Sequence, residues 1–312
     1  MNISFDKMHG LGNDFIVIED LMSELELTAQ QIQELCDRNF GIGADGIIIL
    51  RRSSDANSDY TWFFANADGT IPEMCGNGIR CAARFLNDRG HIPEDKPGIV
   101  IDTLAGPKHI EVVRDKNDSF EQAIVDMGRA DFSSEAIGVD LEPNTALDIE
   151  FTTDEDTIET LSLEGVIDHS LVIDETGEEI VITCLSMGNP HTIINVASLG
   201  CTIEDAPVHE IGPLIEMHPA FSDRTNVEFI EVIDDRTINV RVWERGCGET
   251  LACGTGACAS AVYAYIQGAV HDEVTVRLLG GDLLITTDPA SLEVRMAGPA
   301  ELVYAGTVEV KE

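Results

Sequence analysis

Basic residues are scarce in this chain. Its 312 residues include 19 Lys and Arg against 57 Asp and Glu, giving a formal net charge of −38, and no Lys or Arg occurs from 131 to 223. Such a polyanion is repelled by phosphate backbones and anionic lipid, so nucleic acid and membrane are excluded as partners. Self-repulsion on this scale also works against a compact state. Concentrated salt would screen it, the Debye length being about 3 Å at 1 M, which points to a salt-loving, archaeal host. No apolar run is long enough to span a bilayer. The opening MNISFDKMHG lacks a basic-then-apolar leader, and a reducing cytoplasm is the expected location.

Metal-ligand spacings are missing too. Eight Cys are present, but no Cys-x2-Cys pair and no His-x3-His pair. Zinc sites use such pairs because one short turn then supplies two ligands, so no metal is expected. A disulfide framework belongs to small secreted chains rather than one of this length. No GxxxxGK[ST] occurs, and neither HGLGND nor GIGADG is a strand–GxGxxG–helix unit, since GIGADGIIIL runs into a strand. Those glycines read as turns at strand ends.

What the chain does have is a repeat. MCGNGIRCAARFLNDRG at 74–90 and ACGTGACASAVYAYIQG at 252–268 each open on Cys-Gly-x-Gly, continue in a helical pattern and close on Gly90 or Gly268, a common stop just past a helix end. Ala82 and Ala83 in one, and Ala257, Ala259, Ala261 and Ala264 in the other, leave little bulk and sparse charge; helices of that kind are buried. Upstream landmarks repeat as well. Strand-like YTWFFAN ends at Asn66, nine residues before Cys75, and INVRVWER places Glu244 nine before Cys253. GND at 12–14 and GNP at 188–190 precede the two cysteines by similar distances. These matches predict an α/β (α+β) fold of two pseudo-symmetric domains, each a mixed or antiparallel sheet wrapped around a central helix. The expected first domain is 1–127, completed by 299–312; the second is 128–298.

A thiol at a helix N-terminus meets unpaired N–H groups and the positive end of the helix dipole. Both favour thiolate and predict pKa values lowered toward neutrality for Cys75 and Cys253. The same N–H groups bind anions. Two such termini, one from each half, would hold a carboxylate with a thiol on either side of its α-carbon. One thiolate would remove the α-proton and the other thiol would return one to the opposite face, with backbone donors stabilising the enediolate. Cys81 and Cys258, inside the helices, and Cys36, Cys184 and Cys201, outside any motif, read as core.

MHGLGNDF, GIGADG, FANADG, CGNGIRC, SMGNPH, NVEF, WERGCGET and ACGTGACA together resemble the diaminopimelate epimerase family along the whole chain. The resemblance implies cofactor-independent conversion of LL-diaminopimelate to the meso form in lysine biosynthesis. It further implies that Cys75 and Cys253 are the acid/base thiols, with His191 the proton partner of Cys75 and Glu244 that of Cys253. Gly76, Asn77, Gly254 and Thr255 would hold the reacting carboxylate. Asn13, Asn66, Asn189, Asn226 and Arg245 would read the distal ammonium and carboxylate, Arg because its planar fork suits a carboxylate. The partner is thus a small-molecule substrate, and a homodimer is compatible with the pattern. Position 46 is Gly where some relatives carry a substrate-touching Gln. Around 133–180 the chain is longer than many bacterial relatives, an acidic, Thr- and Ile-rich stretch expected to elaborate an edge of the second domain.

Three other readings use fewer of these residues. A proline racemase-type site would also need two thiols, but usually has His where Asn77 stands and has no use for Arg245. A cysteine-nucleophile hydrolase needs one activated Cys. A non-catalytic amino-acid-binding module needs neither thiol.

Overall fold

The computed structural model describes residues 1–93, 96, 98–153, 157–173 and 176–310. In chain order its elements are β1 (Asn2–Gly10), β2 (Asn13–Glu19), α1 (Ala29–Cys36), β3 (Gly46–Arg52), β4 (Tyr60–Asn66), α2 (Gly76–Asp88), β5 (Gly98–Thr103), β6 (Gly106–Arg114), β7 (Phe120–Arg129) and α3 (Ser134–Ile137). There follow β8 (Thr145–Thr152), β9 (Ile158–Gly165), β10 (His169–Ile173), β11 (Glu178–Ser186), β12 (Pro190–Asn195), α4 (Val196–Leu199) and α5 (Val208–Glu216). The chain continues through β13 (Asn226–Asp234), β14 (Thr237–Glu244), β15 (Gly248–Thr250), α6 (Gly254–Ile266), β16 (Glu273–Leu278), β17 (Gly281–Thr287), β18 (Glu293–Gly298) and β19 (Glu301–Glu309). The fold is α+β and has two compact units, Met1–Asp126 with Ala297–Glu312, and Met127–Met296. Among the described residues no helix is long and apolar enough to cross a membrane.

In the first unit β19 and β2 flank β1 antiparallel, β2–β3 and β4–β5 are parallel, and β3–β4, β5–β6 and β6–β7 are antiparallel. The unbroken apolar run Ile47–Leu50 of β3 is buried throughout, as expected of a strand covered on both faces. One covering layer is α1 with its apolar face on Ile16, Ile18, Ile47 and Ile49. On the other side lies α2, which buries Ile79, Cys81, Ala82, Ala83, Phe85 and Leu86. Small residues let the sheet close around it.

The second unit repeats the same ladder. β11–β12 is antiparallel, β12–β13 parallel, β13–β14 antiparallel, β14–β16 parallel and β16–β17 antiparallel. Even the register corresponds. Phe15 faces Gly46 and Ile47 faces Ala65 in the first unit, while His191 faces Asn226 and Val227 faces Trp243 in the second. α6 has nearly every side chain buried. Gly90 and Gly268, just beyond the two helices, have φ of 69° and 65°, the left-handed conformation that favours glycine at such a stop.

The stretch around 133–180 forms two hairpins. β8 and β9 pair as a separate two-stranded sheet, and β10 pairs with β11 at the edge of the second unit's sheet; positions 154–156 and 174–175 of this stretch lie outside the described residues. Cys36, Cys81, Cys184 and Cys258 are buried, whereas Cys201 is only half-buried at the rim of the second core and Cys247 is exposed. The expectation of a core position for Cys201 is corrected accordingly.

Candidate active site

Cys75 is the N-cap of α2 and Cys253 the N-cap of α6, both in extended backbone conformation (φ −144°, ψ 115° and φ −114°, ψ 114°). Each sulfur accepts a hydrogen bond at 3.4 Å from the N–H three residues on, Gly78 or Gly256. A sulfur thus takes the place of the usual Ser or Asp oxygen at a helix start. Adding a Cβ at Gly256 would bring it 3.3 Å from Cys253 Sγ and 2.7 Å from Glu228 Oε1, so the turn demands glycine. Gly76 and Gly254, each directly after its cysteine, are buried first residues of their helices.

In the first unit the half-buried Cys75 thiol points at Asn13 Oδ1 (3.8 Å), which also accepts from Asn77 Nδ2 (3.2 Å). Asn13 starts β2 after a two-residue hairpin turn in which Leu11 and Gly12 both have positive φ (56° and 89°), the backbone that two-residue hairpins require. Its own Nδ2 donates to Asp45 Oδ2 (2.8 Å), and Asp45 is paired with Arg38 (2.7 Å). Burial opposes ionisation of neighbouring Asp14, but hydrogen bonds from Arg38 and Lys7 outweigh it and hold that carboxyl well below the usual range. Asn77 is buried and its Oδ1 accepts from Arg80 (3.0 Å), a fully buried arginine that also donates to Gly76 O and Pro299 O. Asn66 ends β4 and donates to Thr70 Oγ1 (3.0 Å). At Gly46 an added Cβ would lie 2.6 Å from the Ala65 carbonyl, so no side chain fits there and a Gln contact is absent from this chain.

In the second unit the side chains form a continuous hydrogen-bonded line. Thr255 Oγ1 lies 3.5 Å from Cys253 Sγ and accepts from Asn189 Nδ2 (3.3 Å). Asn189 Oδ1 is 3.1 Å from His191 Nε2, and His191 Nδ1 is 2.7 Å from Glu228 Oε1. On the other side of the sulfur, Glu244 accepts from the Cys253 thiol and from the Thr250 hydroxyl. Asn226 is buried and tied to backbone, donating to Pro190 O and accepting from Arg245 N (both 2.9 Å). It fixes the turn carrying Arg245, whose exposed guanidinium donates to Asp223 O (2.8 Å).

The electrostatics overturn one expectation. Cys253 is not shifted toward neutrality; its thiol is pushed well above 9.0, first by burial and then by the carboxylates of Glu244 and Glu228. Hydrogen bonds from Thr255 and the Gly256 N–H pull the other way and are outweighed. Desolvation disfavours a thiolate more than one helix terminus favours it. Glu244 is likewise pushed up, chiefly by burial. Burial and the flanking carboxylates thus favour the thiol form of Cys253, which donates to Glu244.

Sequence reasoning missed Glu228, Arg80, Asp45 and Thr250. A charged residue in the middle of the otherwise apolar VEFI was the available signal for Glu228.

A sequence profile of the family described as Diaminopimelate epimerase matches residues 5–133 and 183–303, leaving out much of the extra stretch. A diaminopimelate epimerase of Methanococcus maripaludis is 39% identical over 308 residues, 99% of this chain and 100% of the relative. One from Synechocystis is 42% identical over 311 residues, again 99% and 100%. Among solved structures, a probable proline racemase from Agrobacterium radiobacter superimposes with a TM-score of 0.67 at 16% identity, covering 99% of this chain and 93% of that one. A hydroxyproline epimerase from Agrobacterium vitis gives 0.65 at 14% identity, covering 98% and 92%; these likenesses concern the fold. With two full-length relatives near 40% identity and the profile matched in both units, the chain belongs to the diaminopimelate epimerase family.

Proposed function

We propose that this protein is an isomerase converting LL-2,6-diaminopimelate to meso-2,6-diaminopimelate in lysine biosynthesis, with Cys75 and Cys253 as the two acid/base groups and no cofactor. The observation that carries the reading is the matched placement of the two cysteines as N-caps of buried helices in a duplicated unit, in a chain of this family. One thiolate takes the α-proton, leaving an enediolate whose charge is held by first-turn N–H groups of Gly76, Asn77, Gly254 and Thr255. The opposite thiol then gives its proton to the other face. His191 serves Cys75 and Glu244 serves Cys253, regenerating the starting protonation. Arg245, Asn13, Asn66, Asn189 and Asn226 recognise or organise recognition of the distal ammonium and carboxylate. The same reading carries a cytoplasmic, salt-adapted host and is compatible with a homodimer, which sedimentation at high salt would test.

Incubation with LL-diaminopimelate in concentrated salt and heavy water tests this directly. The expected result is meso product with deuterium at the inverted carbon. Turnover of proline instead, or no exchange at Cα, would refute it.

A further inference from the structure

Glu228 has no role in the reading above, yet it is fully buried in β13 beside equally buried His191. Its Oε1 lies 2.7 Å from His191 Nδ1, and its Oε2 is the one buried side-chain oxygen or nitrogen without a hydrogen-bond partner among the described residues. A half-satisfied buried carboxylate is costly, so the fold alone gives no reason to keep it.

The internal duplication supplies the comparison. Gly78 of α2 corresponds to Gly256 of α6, each three residues after its cysteine. An added Cβ at Gly78 would meet Ile48 Cδ1 at 3.1 Å, and one at Gly256 would meet Glu228 Oε1 at 2.7 Å. Ile48 therefore occupies in the first unit the place of Glu228 in the second. The register agrees: two residues along from Gly46 and Asn226, which face Phe15 and His191, stand Ile48 and Glu228. One unit fills this pair of places with Phe15 and Ile48, both buried; the other fills them with His191 and Glu228. The ladder folds around an apolar pair, so the polar pair answers another need.

Resting on the function proposed above, we infer that Glu228 is a positioning residue acting through His191. Its carboxylate accepts the proton on Nδ1 and fixes that protonation and the ring orientation, leaving Nε2, which can give its proton to Asn189 Oδ1 at 3.1 Å, as the nitrogen that exchanges a proton in catalysis. A carboxylate behind a histidine does this generally, because the partner of one ring nitrogen decides what the other can do. The groups around the pair are Asn189 just before β12, Thr192 on β12, Cys184 on β11, Glu244 on β14 and Cys253 with Thr255 at the start of α6. Among these groups His191 is the one hydrogen-bonded to Glu228.

The test uses the intact protein in high salt with Glu228→Gln, Glu228→Asp, His191→Ala and the double variant Glu228→Gln/His191→Ala. In histidine-15N spectra without substrate, the wild type should show a protonated, strongly hydrogen-bonded Nδ1 for His191, and Glu228→Gln should lose that signature while keeping its melting temperature. With LL-diaminopimelate, Glu228→Gln should lower kcat about 100-fold with KM little changed, and Glu228→Asp should recover part of the loss. In the His191→Ala background the Glu228→Gln change should cost nothing further. Full kcat in Glu228→Gln, an additive loss in the double variant, or an unchanged nitrogen signature would each overturn the inference. A wild type that shows the signature but does not turn over diaminopimelate would refute the proposed function and leave the Glu228–His191 tautomer assignment standing.

Discussion

The Cys253 thiol donates a hydrogen bond to the Glu244 carboxylate, and burial pushes the pKa of both groups up. The pair thus holds one proton between two groups that each resist ionisation. Replacing Glu244 by Gln removes the negative charge that raises the thiol. Thiolate absorbance of Cys253 should then appear at lower pH than in the wild type, while kcat falls about 100-fold or more for want of the acceptor. An unchanged thiol titration, read against a Cys253→Ala control, would contradict the pairing.

In the proposed two-thiol mechanism each cysteine is needed for inversion but not for proton loss. Cys75→Ala and Cys253→Ala should each reduce epimerisation by at least about 1,000-fold. A halogenated analogue that eliminates after proton abstraction should still react slowly in one of the single variants. Chiral chromatography of the products and halide release give the two readouts. Full epimerisation by either variant would sink the two-thiol assignment.

His191→Ala and Glu244→Ala should differ in direction. If each partner serves its own thiol, deuterium uptake from LL substrate and from meso substrate before equilibrium should be impaired unequally, and oppositely in the two variants. The overall equilibrium constant cannot change. Equal impairment in both directions for both variants would argue for a shared base.

Stability should fall on the alkaline side. Burial pushes Cys81 and Cys184 from 9.0 up to about 12, and pushes Cys253 well above 9.0. Above pH 9 the unfolded chain releases these protons and the folded chain keeps them, so the unfolded state binds fewer protons and stability decreases as pH rises. At pH 10 each such thiol should cost about 1 kcal/mol. Denaturant titrations at pH 8 and pH 10 in fixed salt measure this, and Cys184→Ala should show a smaller drop between them. Asp14 acts at the other end. Its carboxyl is held below 3.8 in the folded state, so its contribution is present above that value and is lost as pH falls below it; Asp14→Asn should flatten that acid limb.

Salt should stabilise the fold. With a net charge of −38, raising KCl from about 0.1 to 2 M shrinks the Debye length from about 10 Å to under 3 Å and should raise the melting temperature by about 10 °C, the size expected of several kcal/mol in a chain this long. A melting temperature flat across that range would remove the salt-adaptation reading.

Much of this protein was determined by local sequence. Cys-Gly-x-Gly before a small-residue helical pattern specified two buried helices with cysteine at the N-cap, because capping and burial depend on residues within a few positions of each other. The spacing of Asn66 and Glu244 ahead of the two cysteines specified where the strands β4 and β14 end. Tertiary structure alone decided the charge states and the partners. Cys253 has a helix terminus beside it, which argues for thiolate, but pairing of β13, β14 and α6 seals it from water and sets Glu228 and Glu244 nearby, and those effects win. The absence of a side chain at Gly46 becomes necessary only when the Ala65 carbonyl of the neighbouring strand lies against it. Ile48 and Glu228 become equivalent only once both ladders are in register. Each of these depends on distances between segments remote in the chain, which strand register and packing fix and no local pattern records.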